Sequence, residues 1–427
     1  MPAAEARASD ELSRYVARPD ASYAFHTIHS GRFGAAEYLE AILTSQTWRG
    51  TVWKHQLFLV RPRQLDVPTT QALLFIDGGS WKPEYDSAAE HALPRAAGLF
   101  VRLANALRAP VAIVRQVPFE PLFDERREDT LIAYTFERYL DTGDPDWPLL
   151  LPMVKSATRA MDAVQQLALQ QWGFAIARFT VTGASKRGWT SWLTAAVDPR
   201  VAGVAPMVID MLNMKAQIEL QRQTFGGLSE QLQDYEQIHF PERIDSRTGD
   251  ELVSIVDPYS YRDRLTQTKL ILLGTNDPYW PLDALNVYWS GLSEEKRVLY
   301  LPNQTHELRD VDRLIGSVAA LNRYTAQGKR LPEVSGVFTQ QGSRLDLIVR
   351  TDQKPKRVLA WSATSATRDF RQARWSSHAC RRSDGAYECE EHTARNTYTA
   401  LYAEAVFQDR GQPTFSLSTT VHISGGP

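Results

Sequence analysis

The sequence has few cysteines, no long apolar run and no excess of either charge. Its 427 residues include two cysteines, too few for a disulfide-rich scaffold or a thiolate zinc site. No apolar run approaches the roughly 18 residues of a membrane-spanning helix. Lysine and arginine number 48, aspartate and glutamate 50, and the net charge is −2. We therefore expect no nucleic-acid partner and no basic membrane-binding segment.

The N-terminal residues lack the apolar centre of a signal peptide. The small residues in PAAEARA (2–8) are typical of the region near a cleavage site. We therefore expect a periplasmic or secreted protein, with the cytoplasm as the alternative. Cys380 and Cys389 flank a turn-like segment and leave two interpretations open. They form a disulfide in an oxidising compartment, or they stay as reduced thiols.

Three regions follow one another along the chain. The composition, 43% hydrophobic and 23% charged, is that of a globular protein, and the length predicts two or three domains at roughly 150 residues each. Residues 1–70 give a polar, helical lead-in and then two strand-like runs that predict an antiparallel hairpin. Residues 71–331 form the largest region. Residues 332–427 lose the helical periodicity and form the third.

Short apolar runs alternate with helical stretches in the second region. Strands are predicted over 72–79, 110–117, 179–185, 201–210, 269–275 and 297–302, and helices over 87–108, 128–140, 150–172, 188–196, 282–291 and 308–327. This alternation predicts an α/β fold, doubly wound around a mainly parallel sheet. Residues 212–262 interrupt it with a polar segment that we expect to form a helical cap. The short alternating runs after residue 332 predict a β-sandwich of the immunoglobulin or fibronectin type.

The local motif VTGASKRGW (181–189) joins a predicted strand to a predicted helix. Gly183 and Gly188 provide the small neighbours that a nucleophilic serine needs on such a turn, which makes Ser185 the candidate. The spacing is G-x-S-x-x-G, and Arg187 stands where a nucleophile elbow usually has glycine. The alternative is a serine that caps the N-terminus of the helix.

A serine nucleophile needs a base and an acid that orients the base. In α/β-hydrolases the acid and then the histidine follow the serine along the chain. Asp277 and His306 each come just after a predicted strand, so with Ser185 they would meet at the carboxyl edge of the sheet. Asp210 also ends a predicted strand and is the alternative acid, although we favour Asp277.

The reaction also needs N–H donors for the oxyanion that develops on the substrate. The backbone N–H of Lys186, the residue after the nucleophile, is one expected donor. The second donor is expected in FIDGGSW (75–81), from Gly79 or Ser80. An ordinary glycine turn is the alternative for this loop.

Four further side chains are candidates for substrate binding. Trp81, Tyr279 and Trp280 can line an apolar cleft, although core packing is the alternative role for such aromatics. Arg187 and the neighbouring Lys186 open a helix whose dipole disfavours cations there. We therefore expect them either to contact an anionic group of the substrate or to pair with acids such as Asp77 or Asp210.

The sequence resembles the PhoPQ-activated pathogenicity-related proteins, an α/β-hydrolase family. The resemblance covers nearly the whole chain and is carried by GASKRGWTSWLTAAVDPRVAGVAPMVIDMLN (183–213), TVWKHQLFLVRP (51–62), FIDGGSW (75–81), GTNDPYWPLDA (274–284) and LPNQTHEL (301–308). It implies a hydrolase domain followed by a β-sandwich, often in exported proteins. It also implies Ser185 as nucleophile, Asp277 as acid and His306 as base.

These observations together predict a serine hydrolase that cleaves an ester or amide bond through an acyl-enzyme. The expected substrate is a small-molecule ester or a peptide, and no metal or cofactor is expected. One alternative is a peptidase of the same fold. The other is a non-catalytic binding or signalling protein built on the hydrolase scaffold and the β-sandwich. The sequence leaves the oligomeric state open.

Overall fold

The computed structural model describes residues 11–66, 70–86, 93–393 and 395–426. The strands are β1 (Ala24–Phe33), β2 (Ala36–Trp48), β3 (Thr51–Arg61), β4 (Gln71–Ile76), β5 (Val111–Val114), β6 (Arg178–Ala184), β7 (Val201–Met207), β8 (Thr268–Gly274), β9 (Lys296–Leu301), β10 (Val334–Gln341), β11 (Arg344–Thr351), β12 (Arg357–Ser365), β13 (Ser376–Ala379), β14 (Arg381–Ser383), β15 (Ala386–His392), β16 (Tyr398–Gln408), β17 (Thr414–Ser418) and β18 (His422–Gly425). The helices are α1 (11–17), α2 (Ala97–Leu107), α3 (Glu128–Thr142), α4 (Leu150–Trp172), α5 (Lys186–Val197), α6 (Met214–Phe225), α7 (Gln233–Gln237), α8 (Phe240–Arg243), α9 (Arg247–Val256) and α10 (Val311–Ala326).

A large mixed sheet forms the centre of the molecule, in the order β1-β2-β3-β5-β4-β6-β7-β8-β9-β17-β16-β12-β13. The six strands from β5 to β9 in that order run parallel. Every residue of β5 and β7 is buried, because helices cover both faces. Helices α4 and α5 belong to the apolar core on one face, and α2 and α10 to the core on the other. The predicted α/β class with a mainly parallel sheet is therefore confirmed.

The predicted N-terminal hairpin corresponds to β2 and β3, which pair antiparallel around a turn at Arg49 and Gly50. Both turn residues have positive φ, 48° and 77°. The prediction of a helix over 282–291 is wrong. Those residues form two short 3-10 turns, and Tyr288 between them is fully buried with its hydroxyl donating to Asp210, a contact that the sequence does not indicate. Of the helix predicted over 87–108, residues 87–92 lie outside the described residues.

The segment expected to form a cap lies between β7 and β8 and contains four helices, α6 to α9. The segment packs over α3 and α5. One hydrogen bond joins it to α5, from the indole of Trp189 to the carbonyl of Val256 in α9, at 2.6 Å. No helix in the described ranges is long and apolar enough to cross a membrane.

The C-terminal region contains two packed β-layers, but one of them extends the central sheet. Strand β17 pairs with β9 at Ser418 and Val298, and β16, β12, β13 and β18 follow from it. The second layer has the order β10-β11-β15-β14. The arrangement therefore differs from the separate sandwich that the sequence suggests, because β17 covers the edge that β9 would otherwise leave unpaired. Cys380, which immediately precedes β14, and Cys389, within β15, form a disulfide.

Candidate active site

Ser185 occupies a sharp turn between the end of β6 and the first residue of α5. Its backbone angles, φ 57° and ψ −128°, are rare for a residue with a side chain. The Ser185 N–H donates to the carbonyl of Met207 at the end of β7, at 2.8 Å. Such a strained strand-to-helix turn is the geometry that presents a nucleophilic hydroxyl at the carboxyl edge of an α/β-hydrolase sheet.

The unusual glycine spacing around Ser185 has a packing explanation. A Cβ on Gly183 would lie 2.7 Å from the carbonyl oxygen of Arg187, and one on Gly188 would lie 2.8 Å from Cγ2 of Ile209. Both positions therefore require glycine for close approach. The intervening Arg187 is tolerated because its side chain leaves the turn and packs against Gly78, where a Cβ would clash with the guanidinium.

Asp277 and His306 follow β8 and β9 and lie in hydrogen-bond contact. Nδ1 of His306 is 2.9 Å from Oδ2 and 3.1 Å from Oδ1 of Asp277. The backbone N–H of Tyr279 donates to Asp277 Oδ1 at 2.9 Å. The ring of Tyr279 stacks on the imidazole with 4.2 Å between centroids. The imidazole is thus held by Asp277 and by an aromatic face, and Nε2 is the nitrogen that does not contact Asp277.

Nε2 of His306 is buried and makes no hydrogen bond to any residue in the described ranges. Ser185 and His306 follow strands of the same parallel sheet and lie at its carboxyl edge. In unliganded enzymes the hydrogen bond between nucleophile and base is often long and shortens when substrate binds. The role of Ser185 as the partner of His306 therefore stays a prediction.

Asp210, the alternative acid, is bonded to Tyr288 and not to the imidazole. Its side chain is buried and accepts a hydrogen bond from the hydroxyl of Tyr288 at 2.7 Å. Burial raises the pKa of Asp210 to about 8, despite that hydrogen bond. A neutral carboxyl does not stabilise an imidazolium. The acid in contact with His306 is Asp277.

The two cations after the serine form a cluster with acids at the start of α3. Nζ of Lys186 lies 2.7 Å from Glu128 and 3.0 Å from Asp129. Arg187 binds both carboxylate oxygens of Glu128, at 2.8 and 2.9 Å, and its Nε donates to the carbonyl of Val117. Burial alone would raise the pKa of Glu128, but the hydrogen bonds and charges of the two cations lower it to about 2.

This cluster corrects the expected partners of the two cations. Asp77 pairs with Arg115 at 3.2 Å, and Asp210 bonds Tyr288, so neither meets Lys186 or Arg187. The guanidinium of Arg187 is committed to protein groups and is not open to substrate. Glu128 was not expected from the sequence, because its contact with α5 depends on how α3 packs.

The loop expected to supply an oxyanion donor follows β4. Gly79 has φ 105°, a conformation that favours glycine, and the N–H of Trp81 donates to the carbonyl of Glu120. The hydroxyl of Ser80 accepts a hydrogen bond from Arg127. Lys186 is the first residue of α5, where a backbone N–H has no partner within the helix. The backbone N–H of Lys186 and that of Gly79 or Ser80 therefore stay the candidate donors for an oxyanion.

A cavity of about 80 Å³ lies between the Ser185 turn and the cap. Ser185, Lys186, Tyr279 and Trp280 line it, as does Asp129. The apolar lining comes from α3, α5, the loop after β7 and the cap: Phe136, Trp189, Ile209, Met211, Met214, Ile218, Leu228, Leu232, Tyr235 and Phe240. The cap itself was predicted, but none of its lining residues was named, because a polar segment does not show which of its side chains face the site.

Trp81 lies outside this lining. Its ring packs against Tyr85 and Phe119, at 5.5 and 6.2 Å between centroids. The structure thus places Tyr279 and Trp280 at the cavity, as expected, and gives Trp81 and Arg187 contacts elsewhere. Within the described part of the chain, no group of three histidine, cysteine or acidic side chains could bind a metal ion.

The sheet, the turn at Ser185 and the Asp277–His306 pair define a protein of the α/β-hydrolase fold. Acetyl xylan esterase from Paenibacillus sp. R4 is similar in structure, with a TM-score of 0.52, 11% identity, and coverage of 78% of this chain and 95% of that chain. Acetyl xylan esterase 1 from Thermoanaerobacterium sp. JW/SL YS485 has a TM-score of 0.49 and 17% identity, over 75% of this chain and 94% of that chain.

The chain belongs to the PhoPQ-activated pathogenicity-related protein family, which matches residues 12–371. A relative, autocrine proliferation repressor protein A of Dictyostelium discoideum, is 30% identical over 389 residues. That alignment covers 85% of this chain and 76% of the relative. The family expected from the sequence is confirmed.

Proposed function

We propose that this protein is a serine esterase. Ser185 attacks the carbonyl carbon of an ester while Nε2 of His306 takes the hydroxyl proton. Asp277 accepts the hydrogen bond from Nδ1 and stabilises the imidazolium that forms. The alcohol leaves with the proton from His306, and water then hydrolyses the acyl-enzyme by the same steps in reverse order.

The observation that carries the proposal is the pairing of two unusual features at one sheet edge. Ser185 has a strained backbone of the kind found at nucleophilic turns, and His306 is oriented by Asp277 with one nitrogen unpartnered. A structural histidine usually has both nitrogens engaged or in contact with water. A base with a fixed tautomer and a free Nε2 suits proton transfer.

The backbone N–H of Lys186 is the first proposed oxyanion donor, and that of Gly79 or Ser80 is the second. Each such donor can contribute a factor of about 10² to 10³ in rate when it points at the developing charge. The ion cluster with Glu128 fixes the side chain of Lys186 and so keeps the first turn of α5 in place.

The cavity favours an ester with an apolar acyl group. It is lined mainly by apolar side chains, which would contact that group in place of water. The structurally similar protein from Paenibacillus is named an acetyl xylan esterase, which is an acyl ester hydrolase with a two-carbon acyl group. A peptidase of the same fold is the alternative within enzymes.

Labelling with a fluorophosphonate probe tests the proposal. We expect wild-type protein to label, and Ser185→Ala and His306→Ala to lose labelling. Ser191→Ala is the matched control, because Ser191 is a buried serine of the same helix whose hydroxyl bonds only a backbone carbonyl. A series of p-nitrophenyl esters with acyl chains of increasing length, with peptide anilides beside it, then separates esterase from peptidase. Folded wild-type protein that neither labels nor hydrolyses any ester contradicts the proposal.

A second candidate is a signalling protein that uses the scaffold without catalysis. The name of the Dictyostelium relative, a repressor of proliferation, favours it. The two candidates differ in one measurement, the effect of added wild-type and Ser185→Ala protein on the growth of the cells that produce it. An effect that Ser185→Ala retains in full supports signalling without catalysis.

An exported protein remains part of the proposal. A disulfide between Cys380 and Cys389 persists in oxidising compartments and is rare in the cytosol. Thiol labelling of protein isolated from its natural source, before and after reduction, tests this directly.

A further inference from the structure

One segment of the C-terminal region contacts the loops that carry both Asp277 and His306. It comprises residues 368–375, between β12 and β13, and we call it the buttress segment. Phe370 and Trp375 anchor it, since they are 2% and 3% exposed. Its backbone therefore has a defined position against the central sheet.

The first contact is with the loop that precedes the imidazole. The side-chain amide of Asn303 donates to the carbonyl of Trp375 at 3.0 Å and accepts from the N–H of Trp375 at 2.8 Å. This pair of bonds resembles a rung of a β-sheet, with an amide side chain in place of one strand. Asn303 has φ 57°, a conformation that asparagine tolerates better than most residues.

The second contact is with the loop that carries the acid. The amide of Asn276, next to Asp277, points into the carbonyls of the buttress segment, at 2.7 Å to Ala373 and 3.1 Å to Arg371. The Asn276 side-chain oxygen accepts from the hydroxyl of Thr275 at 2.8 Å.

The two loops are also bonded to each other. The hydroxyl of Thr275 accepts from the N–H of Asn303 at 2.9 Å, and the N–H of Asn276 donates to the carbonyl of Gln304 at 2.9 Å. Gly274 allows this approach, because a Cβ there would lie 2.5 Å from the carbonyl oxygen of Gln304. A displacement of either loop is thus transmitted to the other.

The buttress segment reaches the cap as well. Arg371 pairs with Glu230 at 2.8 Å, and its guanidinium lies 4.0 Å from the ring centroid of Phe225. Arg368 pairs with Asp283 in the loop after the acid. The segment therefore contacts the acid loop, the base loop and the cap.

We propose that the buttress segment positions the acid and the base, with Asn276 and Asn303 as positioning residues. The inference rests on the proposed function. It assigns the C-terminal region a part in catalysis, although none of its residues needs to touch substrate. Neutral amide bonds to a rigid backbone fix the two loops, and a misplacement of about 1 Å in a catalytic group can cost about 10²-fold in rate.

The test compares Asn276→Ala and Asn303→Gly with Asn286→Ala. Glycine at 303 keeps the left-handed backbone while it removes both side-chain bonds. Asn286 is the matched control, because its amide also bonds the C-terminal region, at the carbonyl of Val421, without flanking acid or base. The readouts are kcat and KM for p-nitrophenyl acetate, the rate of fluorophosphonate labelling and the melting temperature.

We expect kcat to fall about 10- to 100-fold for Asn276→Ala and by less for Asn303→Gly, with KM nearly unchanged. Asn286→Ala should keep the wild-type kcat even if its melting temperature falls. Asn303→Asp keeps the acceptor for the N–H of Trp375 and should recover part of the rate. If Asn276→Ala does not fold, the comparison of Asn303→Gly with Asn303→Asp tests the inference instead.

Two results would overturn the inference while the proposed function stands. One is a wild-type rate in the variants at both positions. The other is an equal loss of kcat in Asn286→Ala, which would mean that general attachment of the C-terminal region matters and not these loops. A wild-type protein that neither labels nor hydrolyses the ester overturns the proposed function and this inference with it.

Discussion

The two sides of the candidate site are supported by different kinds of interaction. On the nucleophile side, Lys186 and Arg187 are fixed by the carboxylate of Glu128, and close glycine contacts shape the turn. On the side of Asp277 and His306, the loops that carry the two residues are bonded to the buttress segment by the neutral amides of Asn276 and Asn303.

This difference predicts different responses to conditions. Ion pairs depend on the protonation of their acid and on the exposure of the pair, so the nucleophile side should lose support in acid. Amide bonds carry no net charge and do not titrate in the ordinary range, so the contacts of Asn276 and Asn303 with the buttress segment should not respond to pH. Variants that remove one kind of support at a time can separate the two sides.

The largest effect is expected for the acid that contacts the imidazole. Asp277→Asn keeps the shape of the side chain but can stabilise the wrong tautomer of His306, and a comparable change in a serine protease lowers kcat by about 10⁴-fold. Asp210→Asn is the control, since Asp210 bonds Tyr288 and not the imidazole. The measurement is kcat for ester hydrolysis by each variant, and the melting temperature of each shows that it is folded. A similar loss in both variants contradicts the assignment of Asp277.

The order of Ser185, Asp277 and His306 could be read from the sequence because each follows an apolar strand. Carboxyl ends of parallel strands meet at one edge, so three distant residues become neighbours by topology alone. The pairing of Asp277 with His306 followed from that rule, and the structure brings those two side chains together. The strained turn at Ser185 was expected from local glycines.

The supporting contacts could not be read in this way. The bond from Asn276 to Ala373 joins residues 97 positions apart and depends on how the C-terminal strands lie against the central sheet. The continuation of that sheet through β17 was also missed, because a short strand gives no signal of its partner. Glu128 belongs to a helix whose sequence alone does not indicate which neighbour it meets.

The buried Asp210 should reduce stability as pH rises. Its folded pKa is about 8, against a usual value of 3.8, so the folded state carries a proton that the unfolded chain has lost between these values. The free energy of unfolding should therefore fall by about 1.4 kcal/mol per pH unit across that window, from this group alone. Asp210→Asn has no such titration. Urea denaturation between pH 4 and 8 measures the free energy of unfolding of both proteins. The value for Asp210→Asn should rise relative to wild type as pH rises. The same pH dependence in both proteins would contradict the raised pKa.

The disulfide should separate stability from activity within the C-terminal region. Cys380 and Cys389 are separated by 9 positions in the sequence, and closing a loop of that length gives about 2–3 kcal/mol from loop-closure entropy. Cys380→Ala with Cys389→Ala should lower the free energy of unfolding by that amount. The kcat should stay unchanged, because Asn276 and Asn303 bond the buttress segment and not the disulfide loop. A fall in kcat together with an unchanged melting temperature would show that the loop and the buttress segment are coupled.

The smallest effect is expected for the charged support of the nucleophile side, and it should depend on pH. Glu128→Gln leaves Lys186 with Asp129 and leaves Arg187 without a carboxylate, at a cost of about 1–2 kcal/mol, less than for a fully buried pair because the Glu128 side chain is 45% exposed. Glu251→Gln, which removes a surface pair with Arg247, should cost about 0.5 kcal/mol or less.

The pH dependence then distinguishes the Glu128 cluster from the amide contacts. The folded pKa of Glu128 is lowered to about 2 from a usual value of 4.5, so its contribution is complete above pH 4.5 and is lost as pH falls towards 2. The difference in unfolding free energy between wild type and Glu128→Gln should therefore shrink between pH 5 and 3. The difference for Asn276→Ala should stay constant over the same range. If both differences shrink alike, the two sides of the site share one electrostatic support, and the contrast between them fails.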